Sequence, residues 1–167
     1  MTRVVEPNFT RPDIKTKSLV QRMARFDLAD RVDLIASTFA TRVFRTRFSL
    51  ADQVLLHALI KNKIDVTFIN AAGDVSGDRN LASLVGITRD LYGLSFAETE
   101  AEATEIAFVT RSYNSKDGKF IGKDAQSKLM TINPLADWPY DELVSYVLAH
   151  EVPVNPADMP GFAANVA

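Results

Sequence analysis

The pattern of apolar and polar positions predicts a strand, a helix and a second strand near the middle of the chain. Residues 43–48 read as a strand, and residues 49–52 read as a helix start, with a hydroxyl at the cap and an acid in the first turn. The helix ends near Asn62, and residues 64–69 are a β-branched run typical of a strand buried on both faces. Such a βαβ unit is right-handed and makes its strands parallel.

Further helices and strands are predicted on both sides of this unit. Two short helices precede it, the second capped by Asp27 or Asp30, and a helix that ends at Gly93 follows it. We then expect a brief strand at residues 94–96 and a solvated acidic helix over residues 98–105.

The last third of the chain completes the predicted fold. Its expected elements are a strand at 106–110, a hairpin turn at Asp117-Gly118, a strand at 129–132, a helix over 140–149, and an extended tail forced by Pro153, Pro156 and Pro160. Together the elements predict the α/β class, as a three-layer sandwich with a mostly parallel sheet.

The length of 167 residues fits one domain. Residues 1–12 contain two prolines and no apolar period, so we expect an extended N-terminal arm. Residues 13–162 are then a single α/β domain, and residues 163–167 are a C-terminal tail.

Composition narrows the function classes. Hydrophobic residues make up 47% of the chain and charged residues 24%, so we expect a folded protein, and the net charge of -2 predicts no nucleic-acid partner. Residues 1–17 have no apolar core of the kind a secretory signal requires, so we expect a cytoplasmic location. No apolar run has the length that membrane insertion requires. The chain has 0 cysteines, which excludes disulfides, thiolate nucleophiles and cysteine-bound iron–sulfur clusters within it.

Several stretches carry a resemblance to a known family. Residues 48–57 read F-S-L-A-D-Q-V-L-L-H, residues 132–138 read I-N-P-L-A-D-W, and residues 152–156 read V-P-V-N-P. A weaker match is A-F-V-T-R at residues 107–111. In order and spacing these strings resemble the sulfonucleotide (PAPS/APS) reductases of sulfate assimilation.

The resemblance implies an adenine nucleotide α-hydrolase-like (PP-loop) fold with a phosphate loop after the first strand. The ligand that it implies is an adenosine nucleotide (PAPS, APS, PAP or AMP), or a sulfate or phosphate ion, held at a helix start. The candidate nucleotide- or anion-binding residues are Arg45, Thr46, Arg47, Phe48, Ser49, Asp52, Gln53, Asn70 and Arg111.

The chain departs from the family at the positions that carry chemistry. Arg45 and Arg47 replace small serines, and they either add charge-assisted bonds to an anion or fill the pocket with their bulk. Asn70 stands where the family has an aspartate. The interval that holds paired cysteines in iron–sulfur members is shorter here and has none, and Ala167 precedes the expected position of the catalytic cysteine. We therefore expect no iron–sulfur cluster and no thiol reductase activity of the isolated chain.

The two histidines do not suggest a metal or catalytic site. His57 lies on a predicted apolar helix and His150 at a predicted helix end, where packing and capping explain them. The leading hypothesis is an accessory, PAPS/APS reductase-like protein that binds an adenylate or anion. The alternative is a structural or interaction subunit with a plugged cleft, and a homodimer or another protein partner stays open under both.

Overall fold

A computed structural model describes residues 6–110, 120–124 and 127–162, with only the backbone described for residues 6–15 and 162. The helices are α1 (Glu6–Arg25), α2 (Leu28–Thr38), α3 (Leu50–Lys61), α4 (Arg79–Tyr92) and α5 (Tyr140–His150). The strands are β1 (Arg42–Thr46), β2 (Thr67–Asn70), β3 (Ile106–Phe108), β4 (Ile121–Lys123) and β5 (Met130–Ile132). Short 3-10 turns follow at Pro156–Asp158 and Pro160–Phe162.

The strands form one sheet in the order β2-β1-β3-β5-β4. Strands β2, β1, β3 and β5 are parallel, and β4 runs antiparallel to β5 at the edge. The predicted α/β fold class is confirmed. Because β1 is followed by β2 on one side and later by β3 on the other, the carboxyl ends of β1 and β3 border the point where the strand order reverses. Ligands of open α/β sheets bind in the crevice at such a point.

Helix α3 forms where the sequence predicts it. The side chain of Ser49 accepts a hydrogen bond from the backbone N–H of Asp52, which caps the first turn. At the other end Asn62 donates its side-chain amide to the carbonyl of Ala58, and Lys63 has a φ of 57°, which stops the helix. Most of α3 is buried between these caps. The crossover from β1 to β2 is therefore a rigid part of the core.

The two faces of the sheet are covered differently. One face carries Phe44, Phe68 and Phe108, which belong to the main core together with residues of all five helices. The other face holds a small cluster of Val43, Ile69 and Ala107, and in the described part of the chain the apolar side chains packed on it are Ala97 and Leu129. Neither lies in a helix. Among the described residues, two segments outside the helices therefore cover this face, one around Ala97 and one around Leu129.

The loop between α4 and β3 corrects two predictions. Residues 94–96 form no strand, and residues 98–105 form turns instead of a solvated helix. Thr41 donates its hydroxyl to the carbonyl of Ala103, and a Glu105 carboxylate oxygen accepts the N–H of Ala40. These bonds to the chain just before β1 hold the acidic segment against the sheet, which local charge patterning cannot reveal.

Both ends of the chain also differ from expectation. Helix α1 begins at Glu6, inside the stretch predicted to be extended; Pro7 lies in its first turn, where a missing N–H costs little. The predicted extended tail contains 3-10 turns because the side chain of Asn155 accepts from the N–H of Ala157. The hairpin turn predicted at 117–118 lies outside the described residues. The division into arm, domain and tail stays a prediction.

A buried arginine fastens helix α2 to the C-terminal half of the chain. Arg31 is 4% exposed, and its guanidinium donates to the carbonyls of Met23 at 2.7 Å, Phe26 at 2.9 Å and Pro134 at 2.8 Å. It also forms a bidentate ion pair with Asp137, at 2.6 and 2.9 Å, and its Cζ lies 4.8 Å from the centroid of the Phe120 ring. The bonds explain how a charge is tolerated there.

No helix within the described ranges is long and apolar enough to cross a membrane.

We expect Arg31→Met to lower the free energy of unfolding by about 3–5 kcal/mol, because three backbone carbonyls and one carboxylate lose their donor. Asp137→Asn is expected to cost less, about 1 kcal/mol, since the Asp137 side chain is 47% exposed and Arg31 keeps its carbonyl partners. Urea unfolding at neutral pH measures both values. Equal losses in the two variants would contradict this account.

The same pair predicts a pH dependence. The hydrogen bonds from Arg31 hold the pKa of Asp137 below its usual range. A lowered folded-state pKa gives stability that is present above the unfolded pKa and is lost as pH falls through the folded value. The stability of the wild type should therefore fall more steeply than that of Asp137→Asn below about pH 4. If the stability of the wild type and that of Asp137→Asn fall with the same slope in acid, the ionised Asp137 contributes nothing to stability.

Candidate functional site

The carboxyl end of β1 leads directly into the start of α3. Strand β1 ends at Thr46, two residues earlier than predicted, because Phe48 has a φ of 63°. A left-handed conformation costs about 1–2 kcal/mol for a residue with a Cβ atom. The Phe48 ring is 1% exposed and meets Phe96 edge to face at 5.8 Å. Burial of this ring therefore holds the tight turn at residues 46–49, which we call the β1–α3 turn.

The carboxylate of Asp52 is the hub of the turn. Asp52 is 6% exposed, and it accepts hydrogen bonds from the Thr46 hydroxyl at 3.1 Å, the Arg47 N–H at 2.7 Å and the Thr110 hydroxyl at 2.5 Å. The N–H of Phe48 donates in turn to the Thr46 hydroxyl at 2.9 Å. One side chain of α3 thus joins the ends of β1 and β3 across the switch point of the sheet.

The turn's backbone donors are therefore partly used inside the protein. The amides of Arg47 and Phe48 serve the network just described, and the amide of Asp52 serves the Ser49 cap. Among the described residues, the amides of Ser49 and Ala51 have no acceptor. An anion at this helix start would meet these amides and the positive end of the α3 dipole.

The two predicted arginines differ in their surroundings. Both are exposed, so neither fills a buried pocket. Arg45 forms an ion pair with Glu100 of the loop, while the guanidinium of Arg47 has no partner within the ranges that the structure describes. The backbone N–H of Glu100 itself and the guanidinium of Arg45 hold the pKa of the Glu100 carboxyl below its usual range. Arg45 is thus neutralised, and Arg47 is the cation left at the turn.

Two other predicted residues have structural roles. Gln53 is 0% exposed and donates to the Thr88 hydroxyl and to the Pro153 carbonyl, both at 2.9 Å, so it ties α3 to α4 and to the C-terminal segment. Its side-chain oxygen has no partner in the described structure. Asn70 lies at the end of β2, where its side chain accepts from the N–H of Ala72 at 2.9 Å. Arg111 lies outside the described residues.

Thr110 and Asn133 are not among the candidate binding residues predicted from the sequence. Asn133 donates to the Thr110 carbonyl at 3.2 Å and accepts from the Leu135 N–H at 3.0 Å. The string at 132–138 therefore shapes the end of β5 and supplies Asp137, the partner of Arg31. The available signal was the pair of polar residues, Asn133 and Asp137, in a short string between a strand and a helix.

The histidines lie in an aromatic cluster between α3 and α5. His57 Nδ1 is 2.7 Å from the hydroxyl of Tyr146, whose ring lies 4.2 Å from that of His150. Burial, His150 and Lys61 lower the pKa of His57, and burial raises the pKa of Tyr146 to about 12. Among the side chains that the structure describes, no group of three or more His, Asp or Glu is placed to hold a metal ion.

A groove of about 450 Å³ is lined by none of the residues of the β1–α3 turn. It is lined by residues of the acidic loop together with Ser127 and Leu129. Among the described lining residues, Glu100 connects the groove to the predicted site, because it pairs with Arg45. The groove therefore borders one predicted residue and does not replace the turn as the candidate site.

No family model matches the chain. The curated adenosine 5'-phosphosulfate reductase of Sinorhizobium fredii is 23% identical over 194 residues, which covers 90% of this chain and 77% of that protein. Because 194 aligned positions exceed the 167 residues of this chain, the relative carries segments that are missing here.

Two solved structures share the fold. The phosphoadenylyl-sulfate (PAPS) reductase of Candida auris, solved as a phosphate complex, superposes with a TM-score of 0.71 at 16% identity, covering 96% of this chain and 94% of that one. The FMN adenylyltransferase of Candida glabrata has a TM-score of 0.57 at 17% identity, covering 86% of this chain and 58% of that one.

The relatives, the shared fold and the absence of cysteine lead to one conclusion. In sequence and in fold the chain is similar to PAPS and APS reductases, and its 167 residues contain no cysteine.

Proposed function

We propose that this protein is a cytoplasmic, PAPS/APS reductase-like protein linked to sulfate assimilation, which binds an adenylate or a related anion without running thiol chemistry. The binding residues that we assign are Arg47 and Ser49, with the backbone at the start of α3. Thr46, Phe48 and Asp52 support them by fixing the turn. Arg45, Asn70 and Gln53 are secondary, because each is engaged elsewhere. Arg111 remains a candidate by its position in the sequence.

The observation that carries the proposal is the location of the α3 amino end. It lies at the carboxyl end of β1, beside the place where the strand order reverses, and it presents amides of Ser49 and Ala51 without acceptors among the described residues. The positive end of a helix dipole at a switch point favours a phosphate or sulfate group. The relatives act on adenosine phosphosulfates by their names, which gives the ligand class.

The chemistry that this chain can supply is binding and orientation. The 167 residues contain no cysteine, and a thiolate is the nucleophile of thiol-dependent reduction. Within the turn, the ordered donors can hold a phosphate, while Arg47 adds a charge that a serine would lack. The protein thus acts as an accessory or regulatory binder of a sulfonucleotide or of its product.

The alternative is an interaction subunit with an inactive cleft. It is favoured by the internal bonds of Arg47 and Phe48, whose amides are already used by Asp52 and Thr46. A turn that satisfies its own donors gains less from an anion, because each bond to the ligand replaces an existing bond. A protein partner or a second copy would then be the functional ligand.

Titration calorimetry with APS, PAPS, PAP and AMP tests the proposal, and Arg47→Gln against Arg45→Gln sharpens it. We expect Arg47→Gln to weaken binding about 5- to 20-fold, because the unpaired guanidinium meets the ligand. Arg45→Gln removes the same charge but should change affinity less than about twofold, since Glu100 already neutralises Arg45.

The outcomes separate the two functions. No heat with any of the four nucleotides would reject nucleotide binding and favour the interaction subunit. Equal losses in the two variants would show that only overall charge matters, which would remove Arg47 from the assigned site. A sulfite-release assay with thioredoxin checks the absence of thiol chemistry, and turnover by the purified chain alone would contradict it.

Asp52 provides a separate test of the turn. Asp52→Ala should lower the free energy of unfolding by about 2–4 kcal/mol, because the Arg47 amide and two hydroxyls lose a buried acceptor. Asp65→Ala is the matched control, since Asp65 is an exposed acid near the amino end of β2 and should change stability by less than about 0.5 kcal/mol. Urea unfolding measures both free energies. If Asp52→Ala leaves the free energy of unfolding unchanged, the Asp52 carboxylate does not hold the turn.

A further inference from the structure

The aromatic cluster between α3 and α5 contains both histidines of the chain. The ring of His57 lies 5.4 Å from that of Tyr146 and 5.2 Å from that of His150. Tyr92, at the end of α4, lies 6.2 Å from His57, and Trp138 lies 5.9 Å from Tyr146. The side chains that ordinarily gain a proton between pH 5 and 8 therefore all lie in this one cluster.

The cluster fastens α5 to α3. His57 Nδ1 lies 2.7 Å from the Tyr146 hydroxyl, and the ring of His150, one turn later in α5, lies 4.2 Å from that of Tyr146. Beyond α5 the C-terminal segment is tied to the same helix, because Gln53 donates to the carbonyl of Pro153 at 2.9 Å. The cluster and this bond are thus successive attachments of the C-terminal part of the chain to α3.

Neutral and protonated His57 bond differently to Tyr146. Burial raises the pKa of Tyr146 to about 12, so the phenol keeps its proton and can donate it to Nδ1 of a neutral imidazole. A protonated imidazole carries hydrogens on both ring nitrogens, so Tyr146 must then accept and turn its own O–H toward another acceptor. Protonation therefore disturbs the hydrogen bond that joins α5 to α3.

The charges around His57 also oppose its protonation. Lys61 lies one turn later on α3, where like charges destabilise each other, and His150 faces His57 from α5. Tyr92 faces it from α4 as a phenol whose pKa burial raises, so it brings no charge. No carboxylate of the described residues is among the groups that act on His57, and burial, His150 and Lys61 lower its pKa.

We propose that the aromatic cluster is a proton-sensitive clasp, in which protonation of His57 in mild acid loosens α5 and the C-terminal segment from α3. The clasp goes beyond the proposed function, since it requires no nucleotide. Because the folded protein lowers the pKa of His57, the cluster is most stable above the unfolded value of about 6.5 and loses stability as pH falls through the folded value. The clasp is closed at neutral pH and opens in mild acid.

Hydrogen exchange of the free protein tests the clasp. Between pH 7.5 and 5.5 we expect the protection of the Val147 amide in α5, corrected for the intrinsic exchange rate, to fall about two- to fivefold. The protection of Val32 in α2 should change less than about 1.5-fold, because α2 is outside the cluster. Both pH values lie above the range, below about pH 4, in which Asp137 affects stability.

The variant His57→Asn isolates the imidazole. Its side-chain amide keeps a polar group near the Tyr146 hydroxyl but gains no proton in this range, so the protection of Val147 should be the same at both pH values. An equal loss of protection at Val147 and Val32 in the wild type would show that acid destabilises the whole fold, which overturns the clasp. A fall in His57→Asn as large as that of the wild type would overturn it as well.

A titration of the wild type tests the same proposal without any substitution. Followed by NMR, the ring of His57 should gain its proton below about pH 6.5, and the ring resonances of Tyr146 should move with the same midpoint. A midpoint for His57 at or above that value, or Tyr146 resonances that do not follow it, would overturn the clasp.

Discussion

The buried carboxylate of Asp52 is the interaction on which the candidate site depends. It accepts from Thr46 and Arg47 at the end of β1 and from Thr110 beyond the end of β3, so one group fixes two neighbouring strands and a helix at the switch point. A charge in this position is stabilised only because its oxygens are satisfied by several donors. The same bonds that order the turn also use the amides of Arg47 and Phe48, which are then not free to bind an anion.

The strings that resemble the reductase family serve the scaffold more than the chemistry. Asp137 of the string at 132–138 pairs with the buried Arg31 and thereby joins α2 to the second half of the fold. Gln53 of the string at 48–57 links α3 to α4 and to the carbonyl of Pro153, which belongs to the third string. The matched positions therefore contact one another in space, which explains how a chain without cysteine can keep the fold.

Charge around the turn is arranged through segments that are distant in sequence. Glu100 comes from the loop over the second face of the sheet and neutralises Arg45. Only Arg47 retains an unpaired charge among the described residues of the turn. The net effect is a weaker positive potential than two arginines beside a helix start would give.

The sequence by itself determined the elements whose signals are local. The Ser49 cap, the end of α3 at Asn62 and the left-handed Gly93 after α4 lie where short-range patterns predict them, because caps and turns are encoded within a few residues. Tertiary structure alone decided that residues 98–105 lie against the sheet as a loop, that Arg45 is paired with Glu100, and that Gln53 binds the Pro153 carbonyl. Each of these results depends on contacts between residues far apart along the chain, for which a local pattern of apolar and polar positions contains no information.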